Sequence, residues 1–215
     1  VKLEDVAAGR RGAVLVKAEV NGIPIVRTTT QYRSPAQPFR ELHEHLARRI
    51  GTFNNALVEH YTNAYSRMKR HSDQALDLAD DSSIAIYSCY RDPTRPTRRL
   101  IVKAKDSDAT FDLPLDHGSV VTFSLETNRR FTHAIVLRAN APENDWLGIT
   151  FRTSKTFVRF ADGLPLLANG ERLTLADEAQ RREFFRLRRR ENDETDFTYP
   201  SISYTVSESD LLPPA

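Results

Sequence analysis

The chain has 215 residues, of which 40% are hydrophobic and 28% charged; this length and balance give one substantial core and exclude wholesale disorder. No apolar run approaches the ~20 residues that cross a bilayer, and the first residues lack the basic start and apolar stretch of a secretory signal, so a soluble, cytoplasmic protein is expected. The 31 basic and 29 acidic residues leave a net charge of +2, which neither demands nor excludes a nucleic-acid partner, and the single cysteine, Cys89, excludes an internal disulfide or a cysteine-cluster metal site.

In chain order, Ala13–Val16 and Ile23–Arg27, separated by the turn signal Asn21-Gly22, predict two strands. Residues 32–38 form a proline-punctuated loop. Phe39, Leu42, Leu46 and Ile50 recur at helical spacing and predict a helix with that face buried, ended by Gly51. A second helix is predicted over 53–61, with Leu57 and Tyr61 on one face, so that two helices buttress one sheet. Beyond residue 64 the pattern changes to short runs rich in β-branched and aromatic residues, at 84–88, 100–102, 119–123, 133–137 and 147–152. A basic helix over 175–190 and a late strand over 197–206 close the chain. These elements predict a mainly β fold with flanking helices, a sandwich or barrel of the jelly-roll kind, in a single domain over 1–215.

Of the six histidines, only His71 begins a His-x-Asp/Glu triplet, His71-Ser72-Asp73. Side chains at i and i+2 of a strand share a face, so the two can reach one ion. His133, heading a later strand, supplies the third ligand of a two-histidine, one-carboxylate set, which suits iron(II) because positions remain open for a co-substrate and oxygen. Arg152, on the strand after His133, is the natural partner of the distal carboxylate of 2-oxoglutarate. Asn63 and Tyr65 offer hydrogen-bonding side chains shortly before the ligands.

Taken in order, Asn63-x-Tyr65, His71-x-Asp73, Gly118-Ser-Val-Val-Thr-Phe, His133 and Arg152-x-Ser154-x-Thr156-Phe157 resemble the AlkB-like family of iron(II)/2-oxoglutarate dioxygenases. The likeness covers residues 55–160. It implies a double-stranded β-helix with iron on His71, Asp73 and His133, Asn63, Tyr65 and Arg152 on 2-oxoglutarate, and Ser154 lining the same site. Residues 1–54 then supply N-terminal strands and a buttressing helix, and 161–215 a C-terminal helix and strand. Two departures stand out. Val158 occupies the place of the family's second arginine, and the motif also aligns one step earlier, with Arg152 at its end and Trp146 where the first arginine belongs. The intact Asp73 argues against a halogenase.

The resemblance implies hydroxylation of a C–H bond with iron(II), 2-oxoglutarate and O2, and oxidative N-dealkylation where that carbon is bonded to nitrogen. A nucleobase in nucleic acid is the substrate that family precedent favours. Tyr32, Tyr87, Tyr90 and Trp146 are candidates to stack on a ring, and Arg91, Arg95, Arg98 and Arg99 to meet phosphates. The alternatives are a small-molecule oxygenase acting on a nucleoside or amino-acid-derived metabolite and, more remotely, an inactive jelly-roll binding module using the basic helix Arg181–Arg190. Segments 90–99 and 27–37 are the expected lids. Oligomeric state is open.

Overall fold

The computed structural model describes residues 1–215. Its elements are β1 (Glu4–Ala7), β2 (Arg10–Val16), β3 (Ile23–Pro24), β4 (Gln37–Pro38), α1 (Glu41–Ile50), β5 (Asn55–Tyr61), β6 (Ser83–Tyr90), β7 (Arg98–Ala104) and β8 (Thr110–Pro114). There follow β9 (Val120–Ser124), α2 (Leu125–Arg130), β10 (Phe131–Leu137), β11 (Trp146–Arg152), β12 (Phe157–Ala161), β13 (Leu164–Leu167), β14 (Thr174–Leu175), α3 (Glu178–Asp193) and β15 (Tyr204–Thr205). No helix is long and apolar enough to cross a membrane.

The larger sheet runs β1-β2-β5-β11-β6-β9, with β4 also on β2. The smaller runs β10-β7-β8, and residues 66–71 extend it along the free edge of β10, where His71 and His133 exchange backbone hydrogen bonds of 2.9 and 2.7 Å. Chain order crosses repeatedly between the two sheets, the winding of a double-stranded β-helix. Alternation along each strand separates two cores. Ala56, Val58, Ala85, Ile149 and Phe151 face outward and pack with Ala47 of α1. Tyr61, Ile86, Tyr90 and Trp146 face inward and meet Leu100 and Ile135 of the smaller sheet.

Most expected strands are present, but residues 53–61 are not a helix. They form β5, hydrogen-bonded to β2 on one side and β11 on the other. Leu57 and Tyr61 lie four residues apart, a spacing that puts them on one face of a strand as well as of a helix. Pairing on both edges decides the matter. Only α1 therefore buttresses the sheet, and it turns His43 and Ala47 inward while Leu42 is 61% exposed. Asn21-Gly22 does make a tight turn, with Glu19 and Gly22 bonded to each other. The strand that follows, β3, does not pair back on β2 but leaves to pair with β12. The late strand is reduced to Tyr204–Thr205, parallel to β14.

Candidate metal centre

The ligating atoms of His71, Asp73 and His133 lie within 4.8 Å of one another. Nε2 of His71 and Nε2 of His133 are 3.7 and 3.6 Å from the same oxygen, Oδ1 of Asp73. The other oxygen, Oδ2, accepts from Arg152 Nε at 2.8 Å and sits 2.7 Å from Nη2. Oδ1 is thus left to the histidines. His71 Nδ1 is 2.8 Å from the carbonyl of Lys69, which makes Nδ1 the protonated nitrogen and leaves the Nε2 lone pair free.

Burial lowers the pKa of both imidazoles, that of His71 to about 3 with His133 and Arg188 adding to the shift. Burial opposes ionisation of Asp73, but Arg152 and then the two histidines hold it below the ordinary carboxylate range. Two neutral imidazoles and one carboxylate are the protonation states that a divalent cation requires. The donor set therefore fits iron(II), with one face of the cluster open to a cavity.

The backbone carrying these ligands is held from two helices. Asn128 of α2 grips Asp73 twice, accepting from its N–H and donating to its carbonyl, both at 2.7 Å. From α3, Asn192 accepts from the Ser72 N–H at 3.0 Å, Glu191 accepts from the Ala75 N–H at 2.7 Å, and Arg188 donates to the Ser72 carbonyl. The helix is docked by Phe184 and Leu187 against Ile202 and Val206. The hydrogen bonds to residues 72–75 carry no signal in the sequence, because each joins residues more than fifty positions apart.

The centre lies in a cavity of about 1210 Å³. Tyr65, Arg152, Ile86, Ile135 and Thr150 line its inner part, and Thr28–Gln31, β1 and α3 border its mouth. Gln74 also lines it, with both side-chain polar atoms buried and unpartnered. The expected lid over 27–37 therefore borders the cavity, although Arg27 itself is tied to Asp77. The 90–99 loop does not: Asn144 pins it through Asp92 and Arg95 at the far end of the barrel, beside the start of β7.

The other predicted site residues separate. Tyr65 and Arg152 reach the cavity, but the side chain that Arg152 meets is Asp73. Asn63 instead donates to the Pro142 carbonyl and accepts from Asn144, outside the cavity lining. The Ser154 hydroxyl is buried on the carbonyl of Ile25, away from the metal cluster. Tyr32, Tyr90 and Trp146 are packed inside, 2%, 5% and 1% exposed, and cannot stack on an incoming ring as they stand. Arg91 is exposed on the far loop, while Arg95 and Arg99 pair with Asp92 and Asp112.

Two imidazoles and a carboxylate converging inside a double-stranded β-helix form a donor set that fits a mononuclear non-haem metal of the facial-triad type. The model of the 2OG-Fe(II) oxygenase superfamily matches residues 25–175. The chain belongs to that superfamily, which implies iron(II), 2-oxoglutarate and O2 as its reaction partners. No curated protein matches. Among solved structures, a prolyl-4-hydroxylase from Pseudomonas putida is similar at 17% identity and a TM-score of 0.34, over 51% of this chain and 59% of that one.

Proposed function

We propose that the protein is an iron(II)- and 2-oxoglutarate-dependent dioxygenase of the AlkB-like kind, hydroxylating the nitrogen-bonded carbon of an alkyl group on a nucleobase of a phosphate-bearing substrate, so that the group leaves as an aldehyde. The observation that carries the oxygenase reading is the metal cluster itself: His71 and His133 turned on Oδ1 of a carboxylate whose other oxygen is occupied by Arg152. Iron with 2-oxoglutarate supplies the oxidising chemistry. The chain's own part is to hold the metal on His71, Asp73 and His133, to fix the Asp73 carboxylate through Arg152, and to shield the cavity with β1 and α3.

The rim supports a phosphate-bearing substrate. Arg33, Arg67, Lys69, Arg70 and Arg189 are placed around the cavity, and none is held by a carboxylate. Of the acids lining the mouth, Glu4 accepts from the backbone at Arg33 and Ser34, and Asp5 pairs with Arg11. The free charge there is therefore positive, which attracts a polyanion. Tyr65 and Phe185 are the aromatic side chains in the lining, and they take over the stacking role expected of Tyr32, Tyr90 and Trp146.

The test has two parts. Anaerobic addition of iron(II) and 2-oxoglutarate is expected to give a weak visible charge-transfer band that His71→Ala removes; a folded protein without the band refutes the oxygenase reading. Binding to a short N-methylated oligonucleotide is expected to weaken steeply with salt. Absence of binding, with the band intact, transfers the protein to the small-metabolite class.

A further inference from the structure

Away from the metal, the barrel interior holds a cation with nothing to neutralise it. Arg98 begins β7 and is 1% exposed. Its guanidinium lies 5.0 Å from the centroid of the Tyr61 ring, and Nη2 donates to the Thr62 carbonyl at 2.8 Å. Its Nε and Nη1 have no partner. The other buried arginines each hold a carboxylate: Arg27 pairs with Asp77, Arg152 with Asp73 and Arg188 with Glu191. Burial pushes the Arg98 pKa down, opposed only by the tyrosines around it. An unpaired buried charge is costly, and one with two orphaned donors is more so.

Arg98 does not stand alone. Tyr61 Oη, Ser88 Oγ and Trp146 Nε1 are also buried without partners. The Tyr61 and Trp146 rings are 4.8 Å apart. Ser88 faces Gly148 across the β6–β11 ladder, and the Trp146 indole lies over Gly148 so closely that a Cβ there would stand 2.0 Å from it. Inward-facing residues of β5, β6, β7 and β11 thus turn unused hydrogen-bonding groups into one apolar interior. This composition suits a small carboxylate: a guanidinium fork for its charge, and hydroxyl and indole donors for its remaining lone pairs.

We propose that Arg98, and not Arg152, receives the distal carboxylate of 2-oxoglutarate, with Tyr61, Ser88 and Trp146 completing the seat. The inference rests on the oxygenase reading and assigns one residue within it. Arg98 pairs with Leu137, four positions along β10 from His133. That is roughly 13 Å of strand, a span bridged by an inward arginine side chain and a five-carbon dicarboxylate together. Arg152 is already committed to Asp73.

Trp146 is the only tryptophan, so its fluorescence reports on this seat directly. The metal-loaded protein is titrated anaerobically with 2-oxoglutarate and, separately, with 2-oxobutanoate, which lacks the distal carboxylate. Replacing Arg98 with Met is expected to weaken 2-oxoglutarate about 100-fold and 2-oxobutanoate less than about threefold. It is also expected to abolish the rise in Tm that 2-oxoglutarate causes, without lowering the Tm of the ligand-free protein. If R98M fails to fold, R98K, which keeps the charge but loses the fork, takes its place and is expected to show the same selective loss. Unchanged 2-oxoglutarate affinity in the folded variant, or an equal loss for both oxo acids, overturns the assignment. A wild-type protein with neither a fluorescence response nor a charge-transfer band overturns the oxygenase reading and this inference together. A band in the wild type with an Arg98 variant that binds equally well overturns the Arg98 assignment alone.

Discussion

Arg152 meets Asp73 through Nε and Nη2 on a single oxygen, Oδ2, at 2.8 and 2.7 Å, and so turns the other oxygen of that carboxylate toward His71 and His133. The two residues are 79 positions apart, one following the extended segment that borders β10 and the other ending β11. A side chain chosen for its charge thereby sets the orientation of the carboxylate that faces both histidines. Such outer contacts commonly tune metal affinity by 10–100-fold.

Replacing Arg152 with Met is expected to lower metal affinity by about 10–100-fold, measured by calorimetric titration with zinc or anaerobic iron(II). It also leaves a buried carboxylate without its partner, and the metal-free protein is expected to lose about 3 kcal/mol in urea unfolding. Unchanged metal affinity would show that Asp73 needs no help in presenting Oδ1.

Asn128 satisfies both backbone groups of Asp73 with one carboxamide, so no other side chain of its size can substitute. Asn128→Ala orphans a buried N–H and a buried carbonyl, and a loss of about 2–4 kcal/mol is expected. Asn128→Asp keeps the acceptor but sets a carboxylate oxygen against the Asp73 carbonyl, and is expected to be no better than Ala. Both variants are expected to bind the metal more weakly, read by the same titration.

Reversing charge at the cavity mouth separates the phosphate-bearing from the neutral substrate. For R67E, R70E and R189E, affinity for a short oligonucleotide should fall, and the salt slope should flatten by about one unit for each phosphate that is no longer neutralised. The charge-transfer band with iron and 2-oxoglutarate should be unaffected. Equal oligonucleotide binding by the triple variant would remove the rim from the substrate path.

Asp210 provides a pH dependence independent of the metal. Burial pushes its carboxyl up to about 7, helped by Asp77 and opposed by the Thr205 hydroxyl and Arg27. The group keeps its proton in the folded chain to a higher pH than in the unfolded one, whose value is near 3.8. Stability is therefore greatest below the unfolded value and falls as pH rises from about 4 toward 7. Asp210→Asn removes the titration and retains an acceptor for Thr205. Its Tm is expected to match wild type near pH 4 and exceed it at pH 8, by the equivalent of about 4 kcal/mol. Parallel Tm profiles for the two proteins would place the titration elsewhere.

Much of the catalytic architecture is legible in the linear chain. His71 and Asp73 are two residues apart, and that spacing is local chemistry; the β-branched and aromatic runs that form β6, β7, β9, β10 and β11 follow the strand period. Arg152 stands out in either alignment of its motif, but the sequence assigns it to 2-oxoglutarate, whereas the side chain it meets is Asp73. Residues 53–61 mislead because Leu57 and Tyr61 satisfy both periods, and only pairing with β2 and β11 distinguishes them.

What the tertiary structure alone decides is partnership. Arginine is one letter in the sequence, yet Arg152 becomes the support of the Asp73 carboxylate, Arg188 the clamp on the Ser72 carbonyl, and Arg98 the one buried guanidinium without a carboxylate. Likewise Tyr90 and Trp146, aromatic enough to suggest a stacking surface, are core. The residue types and their local periods determine which chemistry the chain can carry. Which charge meets which, and which is left for a ligand, depends on contacts across 36 to 116 positions, and these exist only once the two sheets have closed on each other.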